Sequence, residues 1–455
     1  MKSLRQNLST TQIIALGFLS AIFIGTILLM LPFSSADGKM TPFIDALFTA
    51  TTSICVTGLV VAPTYLKWSL FGKIIILILI QLGGLGIISF TTGIMVVIGR
   101  RITLRDRLLL EDAVNLNTLS GLVAFLQKIF KGTFLIESIG AICYSFVFIP
   151  KYGIFRGICY SVFHSVSAFC NAGIDLLGDN SLMDYVMNPW VNFVTMALII
   201  MGGIGFIVWW DILRILKGIK EKEIVPRHAF RRLHLHTKLV LISTLTLILL
   251  GTVLIYILEF SNEGTIGKWN PLEKIMPSMF QSVTLRTAGF CTIPQENLNG
   301  TTSIICLILM FIGGSSIGTA GGIKTTTFVL LILSALATIK GNEHLVVFRR
   351  TIPHRIVQRA LAVSLVSFLV LITSIILLSI AENSSLLNIA YEATSALGTV
   401  GLTRNFTNHL HIVGKVIIIM SMYLGRIGSI SLAILFNSKE KRALVSYPHE
   451  DVTVG

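Results

Sequence analysis

Charge is what this sequence has least of. Only 13% of its 455 residues are charged, while 53% are hydrophobic. A soluble domain carries about a quarter charged residues, so the composition points to a polytopic membrane protein. Acids are scarcer than bases, 22 against 36. Clustered intramembrane acids, the first need of a membrane enzyme, are missing, and Glu137 and Asp211 are expected near the ends of their spans. The six cysteines (Cys55, Cys143, Cys159, Cys170, Cys291 and Cys306) show no CxxC or metal-ligand spacing, which argues against a disulfide framework. No GxGxxG follows a strand, so no nucleotide fold or organic cofactor is expected in the chain.

Apolar runs of about 18 or more residues are read as spans. Eight occur, near 13–32, 71–99, 133–150, 190–213, 237–260, 301–339, 360–381 and 413–436. The first is too long for a cleaved signal peptide. The net charge of +14 collects around Lys2 and Arg5, in 100–131, 217–238 and 340–359, and in 439–442. This alternation is a topology signal that places both termini in the cytoplasm. It is not a nucleic-acid footprint.

Four of the inter-span loops are too long and too apolar for turns. They read TATTSICVTGL (49–59), HSVSAFCNAGI (164–174), QSVTLRTAGF (281–290) and ATSALGTVGL (393–402). Each closes on a glycine, Gly58, Gly173, Gly289 or Gly401, at separations of 115, 116 and 112 residues. A period of that kind marks an internal repeat, here span, re-entrant segment, span. A second glycine register follows 24 to 29 residues later: Gly83-Gly84-Leu85-Gly86, Gly202-Gly203-Ile204-Gly205, Gly313-Gly314-Ser315-Ser316 and Gly425-Arg426-Ile427-Gly428. Helix packing accounts for most of these glycines. Only the third copy has an obvious break, because LMFIGGSSIGTAGGIKTTT (309–327) cannot stay helical in lipid and must be buried or line a cavity.

Span, short helix with an extended segment, span is the plan of a potassium-channel subunit, and four of them could surround one axis. Such filters replace an ion's hydration shell with backbone carbonyls. A glycine at one fixed point supplies the positive φ this needs. Neighbouring side chains then matter less, which fits the varied flanks Val56-Thr57, Asn171-Ala172, Thr287-Ala288 and Thr399-Val400. With one glycine per segment, fewer carbonyl rings and one main site are expected. Arg426, a charge within a span, is expected beneath the filter as a barrier to cations; the alternative is a structural arginine tied to neighbouring carbonyls. Lys324 either snorkels outward or acts through its charge. Arg286 is expected behind the filter. Asp175, Glu392 and Arg404 flank filters, with structural pairing as plausible as a role in gathering ions. His228, His234 and His236 fall in a basic loop, as solvated residues or a partner surface.

These features together resemble the Trk/Ktr/HKT superfamily of potassium transporters over about 13–436, with SICVTGL, SVTLRTAGF and GTVGL the specific motifs. A single span before the first filter resembles its KtrB-like branch. The resemblance implies an all-α integral membrane fold, in a bacterial plasma membrane, of eight transmembrane helices and four re-entrant pore helices around a pseudo-fourfold pore. It also implies K⁺ uptake, sodium stimulation in many members, a homodimer with one pore per subunit, and a cytosolic nucleotide-binding RCK (KtrA-like) ring. By carry-over, the filter residues are those just quoted. The gate is an intramembrane loop at 313–326, with Gly313, Gly314, Ser315, Ser316, Gly318, Thr319, Gly321, Gly322 and Lys324, together with the pore arginine Arg426. The expected organisation is 1–12 cytoplasmic, 13–99 repeat 1, 100–132 cytoplasmic, 133–216 repeat 2, 217–236 cytoplasmic, 237–340 repeat 3, 341–358 cytoplasmic, 359–437 repeat 4 and 438–455 cytoplasmic. The rival reading is a secondary transporter of another solute, which would need paired helix breaks near the midplane.

Overall fold

The computed structural model describes residues 10–86, 122–178, 180–342 and 344–428. The expected terminal segments 1–9 and 438–455, most of the loop 100–132, and the inner ends of the spans 71–99 and 413–436 lie outside the described residues.

Four helices are long and apolar enough to cross a membrane: α1 (Thr10–Met30), α4 (Leu122–Tyr152), α8 (Leu235–Glu259) and α12 (His354–Ala381). At 1.5 Å per residue the shortest of them is about 30 Å long, the thickness of a hydrocarbon core. Only 22–33% of the most apolar window of each is buried, and Phe23, Ile24, Leu245, Leu249, Leu365 and Phe368 stand exposed on them. These helices form the outer, lipid-facing layer.

Each is followed by a short helix that turns inward: α2 (Phe43–Cys55), α5 (Ile154–Phe169), α9 (Ile275–Thr284) and α13 (Leu386–Gly398). Their C-terminal halves are buried yet carry Thr51, Thr52, Ser53, Ser165, Ser167, Ser282, Thr284, Thr394 and Ser395. Polar side chains are buried at such depth only with partners, and most of these hydroxyls bond backbone carbonyls, as Ser53 Oγ does to Thr49 O at 2.6 Å.

The third helix of each copy is α3 (Leu70–Leu85), α6 (Pro189–Gly203), α10 (Gly300–Phe311) and α14 (Ile412–Ile427). Here the structure departs from eight uninterrupted spans. Gly86, Gly205 and Gly428, the last residues of three glycine registers, have φ of +81°, +91° and +89° and end their helices. In the second copy α7 (Phe206–Lys220) continues after Gly205 at 98° to α6. In the third, α11 (Thr325–Ile339) resumes after the glycine-rich segment. The expectation that only the third copy is broken is therefore corrected. The register glycines are helix terminators as well as packing residues, because positive φ cannot be accommodated within a right-handed helix.

The copies close in cyclic order. Helix α3 packs on α5, α6 on α9, α10 on α13, and α14 on α2, so each third helix leans on the short helix of the next copy. The fourth junction carries an ion pair, Lys415 Nζ to Asp45 Oδ1 at 2.8 Å.

Candidate functional site

The four glycine-closed segments share one backbone conformation. Two residues before each glycine, Val56, Asn171, Thr287 and Thr399 have φ of +55°, +59°, +68° and +51°, and the glycines lie between +64° and +97°. Left-handed φ at Val and Thr is costly and is held by hydrogen bonds. The amide of Thr57 donates to Thr52 O, that of Ala172 to Ser167 O, and that of Val400 to Ser395 O, each at 2.8 Å. Side chains add pins: Gly58 N–H donates to Thr52 Oγ1 and Gly401 N–H to Ser395 Oγ, both at 3.0 Å. Ser167 Oγ donates to Ile174 O and Thr284 Oγ1 to Phe290 O, both at 2.6 Å. The Ser and Thr residues of the motifs are thus the fasteners of the turns.

The segments meet in a ring. A Cβ on Gly58 would lie 2.5 Å from Ala172 O, one on Gly173 2.6 Å from Ala288 O, one on Gly289 2.6 Å from Val400 O, and one on Gly401 2.2 Å from Thr57 O. Every glycine therefore abuts the carbonyl that precedes the glycine of the next copy. Positive φ and close approach both demand glycine here. The preceding helices point their negative ends into the same place.

The glycine-rich segment lies against this ring. Its neck is a parallel β-bridge between Ile312 and Ile323, with Gly313 N–H donating to Ile323 O at 2.9 Å and Ile323 N–H to Phe311 O at 3.1 Å. The hydroxyls of Ser315 and Thr325 meet at 2.9 Å, and those of Ser316 and Thr326 at 3.3 Å. A Cβ on Gly321 would fall 1.8 Å from Thr399 Oγ1. Thr319 Oγ1 donates to Phe169 O at 3.0 Å, its amide to Gly202 O at 3.1 Å, and the Ser315 amide to Gly203 O at 2.9 Å. In return Phe206 N–H donates to Ile317 O at 2.8 Å. Irregular backbone at this depth is satisfied by protein, as it must be. Lys324 does not snorkel outward; its ammonium turns back and donates to Ala320 O at 2.7 Å.

Arg426 makes the contacts of the structural alternative while lying against the glycine-rich segment. Nη1 donates to Thr319 O at 2.6 Å, and Nη2 to the carbonyls of Gly83 and Gly84. One guanidinium from the fourth copy thus joins the first copy to the glycine-rich segment of the third.

Other expected residues sort as follows. Arg286 is buried behind the ring with Val283, Thr244 and Gly314, its Nε without a partner among the described residues. Glu392 accepts from Thr403 and Thr407 hydroxyls, and Arg404 donates to Gln295 O, Glu296 O, Ser303 and Asn388, so both are structural ties. Asp175 accepts from the Leu177 amide at 3.2 Å. The His234 amide donates to Asp211 Oδ2 at 2.9 Å, and among the described residues no metal-holding group of His, Cys, Asp and Glu occurs. Glu137 is corrected: it stands midway along α4, buried, with Gln81 Nε2 donating to its carboxylate at 3.2 Å. The hydropathy window opened late because Lys128 and Lys131 depress its start, whereas the helix begins at Leu122.

On the basic side, the loop after α7 meets a hairpin, β1 (Leu345–Val347) and β2 (Arg350–Ile352), through an edge contact of Phe230 with Phe348 at 6.4 Å. Arg227, Arg231, Arg232, Arg349 and Arg350 are exposed around it.

Comparison with known proteins identifies the family. The model of a family described as TrkH, cation transport protein, matches residues 5–447. The chain is 40% identical over 444 residues to the Ktr system potassium uptake protein B of Bacillus subtilis, covering 98% of this chain and 96% of that protein. It is 39% identical over 460 residues to the potassium/sodium uptake protein NtpJ of Enterococcus hirae, covering 100% and 99%. Among solved structures, the potassium transporter TrkH from Vibrio parahaemolyticus matches with a TM-score of 0.71 at 19% identity, covering 92% of this chain and 84% of that one.

Proposed function

We propose, because the chain belongs to the TrkH family of cation transport proteins, that it is a membrane protein for potassium uptake with the four-glycine ring as its selectivity filter. The single observation that carries this is the cyclic contact of Gly58, Gly173, Gly289 and Gly401 with the carbonyls of Ala172, Ala288, Val400 and Thr57. Carbonyls so gathered replace the hydration shell of a cation of fixed size. The repeats are four span–pore-helix–span units about a pseudo-fourfold axis, and the chain has eight membrane crossings, some of them broken. Segment 313–326 is the gate, and Arg426 both fastens it and sets a charge barrier to cations.

The names of the relatives support K⁺ as cargo and sodium as a second cation. The word "system" in the Bacillus name supports a partner subunit. The exposed arginines around Phe230 and Phe348 are the surface proposed for a cytosolic nucleotide-binding ring, and the assembly is proposed to be a homodimer. Broken helices in the second and third copies also suit a secondary transporter, but such sites need polar groups at the break, and here the break is filled by the gate segment.

The test is growth of a potassium-uptake-deficient bacterium on low K⁺. The chain restores growth, and a variant lacking 315–321 takes up rubidium faster than the parent. No rescue by well-inserted protein, with rubidium entry no faster than in empty membranes, would overturn the reading.

A further inference from the structure

The gate segment occupies hydrogen-bonding groups that a continuous second-copy helix would use itself. In an unbroken α-helix the amide of residue i pairs with the carbonyl of i−4. Across the break, Phe206 N–H would take Gly202 O and Ile207 N–H would take Gly203 O. Here Gly202 O is taken by the Thr319 amide and Gly203 O by the Ser315 amide, while Phe206 N–H is given to Ile317 O. Gly205 makes the exchange sterically possible: its φ is +91°, and a Cβ there would lie 2.4 Å from Ser316 O. Only glycine passes cheaply between that conformation and the helical one.

We propose that the gate segment and the α6–α7 break exchange partners: when the segment leaves the ring, the break heals and α7 swings toward the axis of α6. This rests on the pore reading above and names the device that regulates it. Withdrawal alone would leave two carbonyls and one amide unpaired at membrane depth, where water does not replace them. Healing pairs all three without a new partner. The two states are therefore coupled, and the coupling is reciprocal: whatever straightens α7 expels the segment, and whatever holds α7 bent retains it. α7 is the handle, since Arg214, Lys217 and Lys220 lie on its outer turns and Asp211, paired with Arg214 within the helix, ties it to the His234 amide. Exposed Leu216 is ten residues beyond the break, a lever of about 15 Å at 1.5 Å per residue.

The experiment uses spin labels at Leu216 on α7 and Leu135 on α4, both exposed, in full-length protein in liposomes, with rubidium uptake measured on the same samples. Two variants are compared with the parent: deletion of 315–321, and Gly205→Ala, which disfavours the bent state through its positive φ and through a Cβ that would lie 2.4 Å from Ser316 O. Both variants shift the label distance by more than 10 Å and raise uptake several-fold. Faster uptake in the deletion with an unmoved label distance overturns the exchange while leaving the gate reading intact. A moved distance in both variants with unchanged uptake supports the exchange and removes the gate reading. An unmoved distance in well-inserted Gly205→Ala overturns the exchange as well.

Discussion

Arg426 Nη1 and the carbonyl of Thr319 lie 2.6 Å apart. The register position that is Gly84, Gly203 or Gly314 in the other copies thus holds, in the fourth, a side chain long enough to reach the third copy's glycine-rich segment. The other end of that guanidinium holds the carbonyls of Gly83 and Gly84. Arginine suits this because its planar fork donates in several directions at once, whereas a lysine ammonium is a compact point charge.

Replacing Arg426 with Gln should loosen the gate segment. Hydrogen bonds from charged groups contribute about 1.5–3 kcal/mol each, and every ~1.4 kcal/mol is tenfold in an equilibrium constant. Rubidium uptake into liposomes should rise at least several-fold, with Arg426→Lys intermediate. Uptake equal to the parent in Gln and Lys variants alike would show that the bond to Thr319 does not hold the gate.

Substituting the filter glycines with Ser should lower the preference for K⁺ over Na⁺ in a graded order. The approach is closest at Gly401, 2.2 Å to Thr57 O, and looser at Gly173 and Gly289, 2.6 Å each. Competition of Na⁺ with rubidium uptake should be strongest in Gly401→Ser. Unaltered competition in all four variants would remove the filter assignment.

Thr52→Val and Ser395→Ala each deprive a filter-glycine amide of its side-chain acceptor. An unsatisfied buried amide costs about 1–3 kcal/mol. The half-saturating K⁺ concentration for uptake should rise by roughly an order of magnitude while membrane insertion is kept. Combining the two should cost more than either alone, since they pin adjacent quarters of the ring. Saturation curves superimposable on the parent would sink the idea.

Lys415→Met should lower the thermal midpoint of detergent-solubilised protein by opening the junction between the fourth and first copies. The pair is partly buried, with side-chain exposures of 17% and 30%, so the loss is of the order of 1 kcal/mol, the upper end for exposed pairs. Asp45→Asn should destabilise similarly and the double variant by less than the sum. Strict additivity would show that the two charges do not interact.

The four turns were legible in the sequence for a physical reason: each glycine-closed segment needs a residue that tolerates positive φ, and such a residue recurs visibly at a fixed period. Arg426 and the stretch 313–326 stood out because lipid penalises charge and irregular backbone. What could not be read is what depends on contacts between copies. Gly205 looked like a packing glycine because nothing local distinguishes a GGIG that ends a helix from one that merely permits close approach. Its bend is fixed by Ile317 O and Ser316, more than 100 residues away in sequence. Glu137 was misplaced because hydropathy reports where charge is sparse, not where a helix begins. The cyclic order of the ring was invisible because each glycine's partner belongs to another copy.

The ring has a consequence for how such a site can change. In a channel of four identical chains, every substitution alters all four quarters at once. Here Gly58, Gly173, Gly289 and Gly401 are separate letters of one chain, so a mutation reaches a single quadrant and leaves three as they were. With the ring as the proposed filter, ion preference can be adjusted in quarter steps, and one quadrant can specialise in control while the others keep dehydrating the ion.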